Sequence, residues 1–150
     1  MLFHGAVRCL FILLIFFWGA PATAQPQVLS IPAHPAEQAA NGPAVLGAML
    51  WQPASRGPHP AIVLLHGCAG MTTRAGQPFP RDTDWARRLS ALGYLVLQVD
   101  SLTPRGEASL CGQGNDRRIR VSVERARDAY AALLFLQARR DVKPDRIALM

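Results

Sequence analysis

The apolar run Ala61-Ile62-Val63-Leu64-Leu65 follows Pro60 and stops abruptly at His66-Gly67. So short a run, with two β-branched residues and a glycine turn directly behind it, reads as a strand buried on both faces. The segment that follows, Gly67-Cys68-Ala69-Gly70, is the clearest piece of site architecture in the chain. Glycines at both ends let the backbone turn sharply and approach a bound group, leaving the intervening N–H groups free to point at developing negative charge.

The next elements follow from spacing. Asp82, Thr83 and Asp84 offer an N-cap and first-turn acids, Trp85, Leu89 and Leu92 fall at i, i+4 and i+7, and Gly93 ends the pattern. This predicts a helix packed on a sheet with Trp85 in the core. Tyr94-Leu95-Val96-Leu97-Gln98-Val99 is a second apolar run, ending at Asp100. Strand, helix and strand imply a right-handed parallel crossover, with both strand ends on one side. Ligands in such sheets bind beyond the carboxyl ends, which gathers Cys68, Asp100 and the Ser101–Gly114 loop around one crevice. Asp100 is read as a structural turn residue.

Taken together, the ordered pieces resemble the secreted branch of the dienelactone hydrolase family, within the α/β-hydrolases. They are Leu64-Leu65-His66-Gly67-Cys68, Trp85-Ala86-Arg87-Arg88-Leu89 with Leu92-Gly93-Tyr94, Val99-Asp100-Ser101 with Thr103-Pro104-Arg105-Gly106, Cys111-Gly112, and Asp145-Arg146-Ile147-Ala148-Leu149-Met150. The resemblance covers roughly Pro60 to the end. It implies an α/β fold, a mostly parallel sheet with flanking helices that starts with antiparallel strands, and hydrolysis of a small-molecule ester or lactone through an acyl-enzyme. In that scheme the backbone N–H of Cys68 is one oxyanion donor, in a loop shaped by Gly67 and Gly70. Arg105 either clamps a substrate carboxylate or ties down its own loop, with Asp100 as a candidate partner. The strand beginning at Arg146 would run into the nucleophile elbow, yet no Gly-x-Ser-x-Gly occurs in the sequence. The expectation is therefore a hydrolase domain truncated before its elbow, with nucleophile, acid and histidine all beyond Met150 and the chain itself inactive. Cysteine-type relatives carry a glutamate in the oxyanion loop, and its absence here favours a serine nucleophile.

Met1–Ala24 is expected to be a signal peptide: Arg8 precedes the apolar run Leu10–Trp18, and Ala22-Thr23-Ala24 has the form that signal peptidase cuts. That run is short of the ~20 residues of a spanning helix. The expected product starts at Gln25, is exported to the periplasm or medium, and keeps no stable membrane anchor. Cleavage removes Cys9, leaving Cys68 and Cys111 as an expected disulfide in an oxidising compartment, or else as two buried thiols. The chain has 16 Lys+Arg against 10 Asp+Glu, but the arginines are scattered along helices without stacking aromatics, so no nucleic-acid partner is expected. No cofactor and no metal ligand set is expected, and the oligomeric state is open.

Residues 25–43, with several Pro, Ala and Gln, read as an extended lead-in, and residues 44–150 as the N-terminal part of an α/β-hydrolase domain. Ala44–Trp51 reads as an edge strand, with His59 exposed in the turn after it. Met71–Arg81 reads as an irregular excursion at the crevice mouth. Asn115–Arg140 predicts one long helix whose apolar stripe is Ile119, Val123, Ala126, Tyr130, Leu133 and Gln137, ended by Lys143-Pro144. The competing function is a non-catalytic exported binding protein, or an unstable product of a shortened reading frame.

Overall fold

The computed structural model describes residues 25–114 and 118–150. The signal-peptide reading of residues 1–24 and the first residues of the expected long helix, Asn115–Arg117, lie outside the described residues. In chain order the elements are β1 (Gln27–Pro32), α1 (Pro35–Ala39), β2 (Val45–Trp51), β3 (His59–Leu65), α2 (Pro80–Ala91), β4 (Leu95–Val99), α3 (Glu124–Gln137) and β5 (Val142–Leu149).

The five strands form one mixed sheet in the order β1-β2-β4-β3-β5. β1 and β2 pair antiparallel, as do β2 and β4, whereas β3 runs parallel to both β4 and β5. The expected crossover is present: Ala61 lies opposite Leu95 and Leu65 opposite Val99, with α2 between the strands in sequence. Alternation along β3 and β4 splits the core into two layers. Ala61 and Val63 join Leu95, Leu97, Val99, Ala131, Ala132 and Leu136 on the α3 side, while Leu64 and Val96 join Trp51 and Ala86 on the α2 side. Every residue of β4 is buried, which accounts for a run without polar alternation.

Three expectations at the amino end are corrected. The stretch 25–43 is not a surface lead-in: Gln27–Pro32 is a full partner of β2, with Ile31 wholly buried, and Pro35–Ala39 makes a short helix. β2 is consequently an interior strand. His59, expected exposed, is buried as the first residue of β3 and donates its N–H to the Asp141 carbonyl at 2.9 Å.

Both long helices turn a different face inward from the one their large residues mark. α2 buries Asp82, Ala86 and Ser90, and leaves Trp85 46% exposed. α3 buries Asp128, Ala131, Ala132 and Leu136, and leaves Tyr130 61% exposed. Small side chains let a helix axis come close to the pleated sheet, and one Leu136 then fills the remaining gap. α3 also starts at Glu124, because the Glu124 carboxylate accepts the Arg120 N–H at 2.6 Å and pairs with its guanidinium. Those bonds to Arg120 hold the Glu124 carboxyl far below the usual range, at about 2. Lys143-Pro144 appears as an irregularity within β5, which runs from Val142 to Ile147 while β3 runs from His59 to Ala61.

Candidate active site

β3 and β4 end on the same side of the sheet, and the loops that leave them meet there. The Gly67 carbonyl accepts the Gly70 N–H at 3.3 Å, closing a four-residue turn around Cys68 and Ala69. Among the described residues no acceptor takes the N–H of Cys68 or Ala69. Gly70 is the glycine this turn demands. Its φ is +88°, and a Cβ there would lie 2.8 Å from the Ala108 carbonyl oxygen. Gly67 lacks a positive φ, and a Cβ on it would meet only Arg81 Nη2, at 3.6 Å. The sharp turn expected of both glycines thus belongs to Gly70, while Gly67 keeps its side of the loop open. A cavity of about 360 Å³ lies against this loop, closed on the other side by Phe79, Pro80 and Arg81. A second cavity, of about 690 Å³, continues from Ala69 and Gly70 along Met71–Arg74 to Thr103 and Gly106–Ser109. The Met71–Arg81 excursion therefore does line the crevice mouth.

His66 is the buried strut beneath the loop. Its Nε2 accepts the Ser101 N–H at 3.1 Å, which requires that atom to be unprotonated. The ring proton then sits on Nδ1 and is donated to the Gly67 carbonyl at 2.7 Å. Burial pushes the imidazole below its usual range, which keeps it neutral. Asp100 has the structural role read from the sequence, its Oδ1 accepting the N–H groups of Leu102 and Thr103 at 3.0 Å each. The Cys68–Cys111 disulfide is formed, with Cα atoms 5.0 Å apart, and ties the Gly67–Gly70 turn to the loop after β4. The Leu110 N–H on the Cys68 carbonyl, at 2.7 Å, reinforces that tie.

Arg105 takes the second of its expected roles, tying down its own loop, but through partners other than Asp100. Its Nε and Nη2 donate to Glu37 Oε1 at 3.1 and 2.9 Å, its Nη1 and Nη2 to the two Asp128 oxygens at 2.9 Å each, and Nη1 also to the Ser101 carbonyl at 2.7 Å. Each of the five N–H groups of a guanidinium is thereby engaged, so none is free for a substrate carboxylate. Burial opposes the charge, but the bonds to Asp128 and Glu37 outweigh it and raise the Arg105 pKa above its ordinary value. Asp100 plays no part in this anchoring. The network joins α1, the 3₁₀ turn Thr103–Arg105 and α3, and so fixes the loop after β4 from beneath. Glu37 lies in the stretch that sequence reasoning had set aside. Its one signal is a carboxylate in the first turn of a short helix led by Pro35.

Among the described residues no group of three or more His, Cys, Asp or Glu side chains is arranged to hold a metal ion. No described helix is long and apolar enough to cross a membrane.

No protein-family model matches the sequence, and no curated protein matches it. Solved structures do. The hypothetical protein PA2218 from Pseudomonas aeruginosa superposes with a TM-score of 0.57 at 19% identity, over 95% of this chain and 40% of that one. The thermostable carboxylesterase EstE1, cloned from a metagenomic library, gives 0.53 at 25% identity, over 85% of this chain and 36% of that one. A putative dienelactone hydrolase from Klebsiella pneumoniae gives 0.53 at 16% identity, over 82% and 49%. The chain has an α/β-hydrolase-like fold, and it spans between about a third and a half of the length of these neighbours.

Proposed function

We propose that this chain is the oxyanion-hole half of an exported ester or lactone hydrolase. The observation that carries the reading is the Gly67–Gly70 turn, whose Cys68 N–H is unclaimed among the described residues and which borders a cavity at the carboxyl end of β3. In the reaction that such a turn serves, a nucleophile attacks the ester carbonyl and the oxygen becomes negative. The Cys68 N–H donates to it, a second donor comes from the residue after the nucleophile, and an acyl-enzyme forms and is hydrolysed through a second oxyanion. One such donor is worth on the order of 3 kcal/mol of transition-state stabilisation.

The elbow that would carry a serine is missing from the sequence, so the 150 residues by themselves hold a charge-stabilising loop without an attacking group. The purified chain is expected to show no turnover of a short-chain aryl ester. Turnover that disappears when one residue of this chain is substituted would refute that. The companion measurement is the intact mass of the protein exported from its native source, with and without reduction before alkylation. A mass corresponding to Gln25–Met150 that gains two alkyl groups only after reduction would support export and the bridge, and would favour a non-catalytic product. A much larger mass carrying esterase activity would support the hydrolase reading.

A further inference from the structure

Two consecutive carbonyl groups of the oxyanion loop are held from inside the protein. The Arg125 guanidinium, reaching from the first turn of α3, donates to the His66 carbonyl. The His66 Nδ1–H takes the next carbonyl, that of Gly67. We propose that Arg125 and His66 are positioning residues that mount the oxyanion peptide. In a planar trans peptide the carbonyl and the N–H point in opposite directions. With the Gly67 carbonyl drawn inward onto the imidazole, the Cys68 N–H faces outward, toward the cavity. A peptide flipped about that bond would present its carbonyl to the crevice and repel an oxyanion. The inference rests on reading this loop as an oxyanion hole, although the mount is a property of the chain whether or not an ester is hydrolysed.

Arg125 stands apart from the arginines around it. Arg105 pairs with Glu37 and Asp128, Arg127 with Glu37, Arg120 with Glu124 and Arg139 with Asp141. Among the described residues Arg125 forms no ion pair, and its buried Nε has no partner. Burial pushes its pKa down, the mark of a charge held where the fold alone does not favour it. That charge lies beside the Gly67–Gly70 loop, read as meeting developing negative charge.

The same charge acts on the imidazole. The charged groups that face His66 are Arg125 from α3, Asp100 beyond β4 and Asp82 from α2. Arg125 disfavours a second ring proton and the two aspartates favour it. Neutrality matters because only an unprotonated Nε2 accepts the Ser101 N–H and leaves the single proton on Nδ1 for Gly67.

The test is solution NMR on the isotopically labelled, oxidised protein. It reads the His66 and Gly67 carbonyl shifts, the Cys68 amide, and the pH midpoint at which the Ser101 amide signal follows His66. Arg125→Met should move the His66 carbonyl signal and raise the midpoint, and Arg125→Lys, which keeps the charge, should leave the midpoint near its original value. His66→Asn places an N–H donor near the Nδ1 position and should preserve the Cys68 amide shift, whereas His66→Phe should displace it. An unchanged midpoint in Arg125→Met would overturn the proposal, as would an unchanged Cys68 amide in a folded His66→Phe protein. If His66→Phe does not fold, Arg125→Met decides alone. No signal in this set depends on ester turnover, so failure of the mount and failure of the hydrolase reading are told apart.

Discussion

Arg105 shows how one side chain can hold a loop in place without touching a ligand. It is nearly buried, and so are Glu37 and Asp128, so removing the guanidinium strands two carboxylates in a medium that does not solvate them. Arg105→Met is expected to destabilise the protein by about 3–5 kcal/mol, the usual cost of breaking a buried pair from one side. Urea unfolding measures it, and a loss below about 1 kcal/mol would mean that water reaches the network. Gly70 is the other residue with no substitute, because it combines a left-handed φ with a close approach to Ala108. A motif reading picked out Gly70 but not the Arg105 partners. Glu37 and Asp128 lie 68 and 23 residues away in the chain, and no local pattern joins them.

At the scale of elements, periodicity located the two long helices while misjudging their orientation. Tyr130 and Trp85 are large and apolar enough to belong to a core, yet both are exposed, because the sheet accepts the faces built from alanine, serine and aspartate. Leu136 is the wholly buried large residue of α3. Leu136→Ala should cost about 2–5 kcal/mol through the cavity it leaves, whereas Tyr130→Ala should stay within about 0.5 kcal/mol, as surface changes do. Denaturant midpoints compare the two directly. Equal losses would restore the stripe through Tyr130 as the packing face. β3 and β4 were easier to read, since a run of apolar residues closed by Gly or Asp has the same meaning wherever it sits in the sheet.

For the molecule as a whole, the exposed Tyr130 belongs to an apolar face on the α3 side of the sheet. Val63, Ala126, Ala129, Tyr130, Leu133 and Ile147–Leu149 line a groove of about 300 Å³ between α3 and β5. Among the described residues β5 has no neighbour on its far side, and Leu149 and Met150 beside it are 61% and 47% exposed. An apolar face next to an open strand edge promotes association. The purified chain should sediment as concentration-dependent oligomers and bind a hydrophobic dye, and Leu149→Lys should reduce both. Unchanged sedimentation in that variant would place the association elsewhere.

Local sequence determined the parallel β3-α2-β4 unit, the turn at Gly67–Gly70 and the structural turn role of Asp100, whereas it left Cys68 and Cys111 as either a bridge or two thiols, and the structure has the bridge. The first three are written in short runs of sequence, apolar residues closed by a glycine or an aspartate. Only the tertiary structure decided that Gln27–Pro32 is a strand of the sheet, that α2 and α3 pack by their small residues, and that Arg105 holds its loop through Glu37 and Asp128. These outcomes depend on how closely two surfaces approach and on which charges are excluded from water together. Both are properties of distances between segments remote in sequence, and spacing along the chain does not encode them.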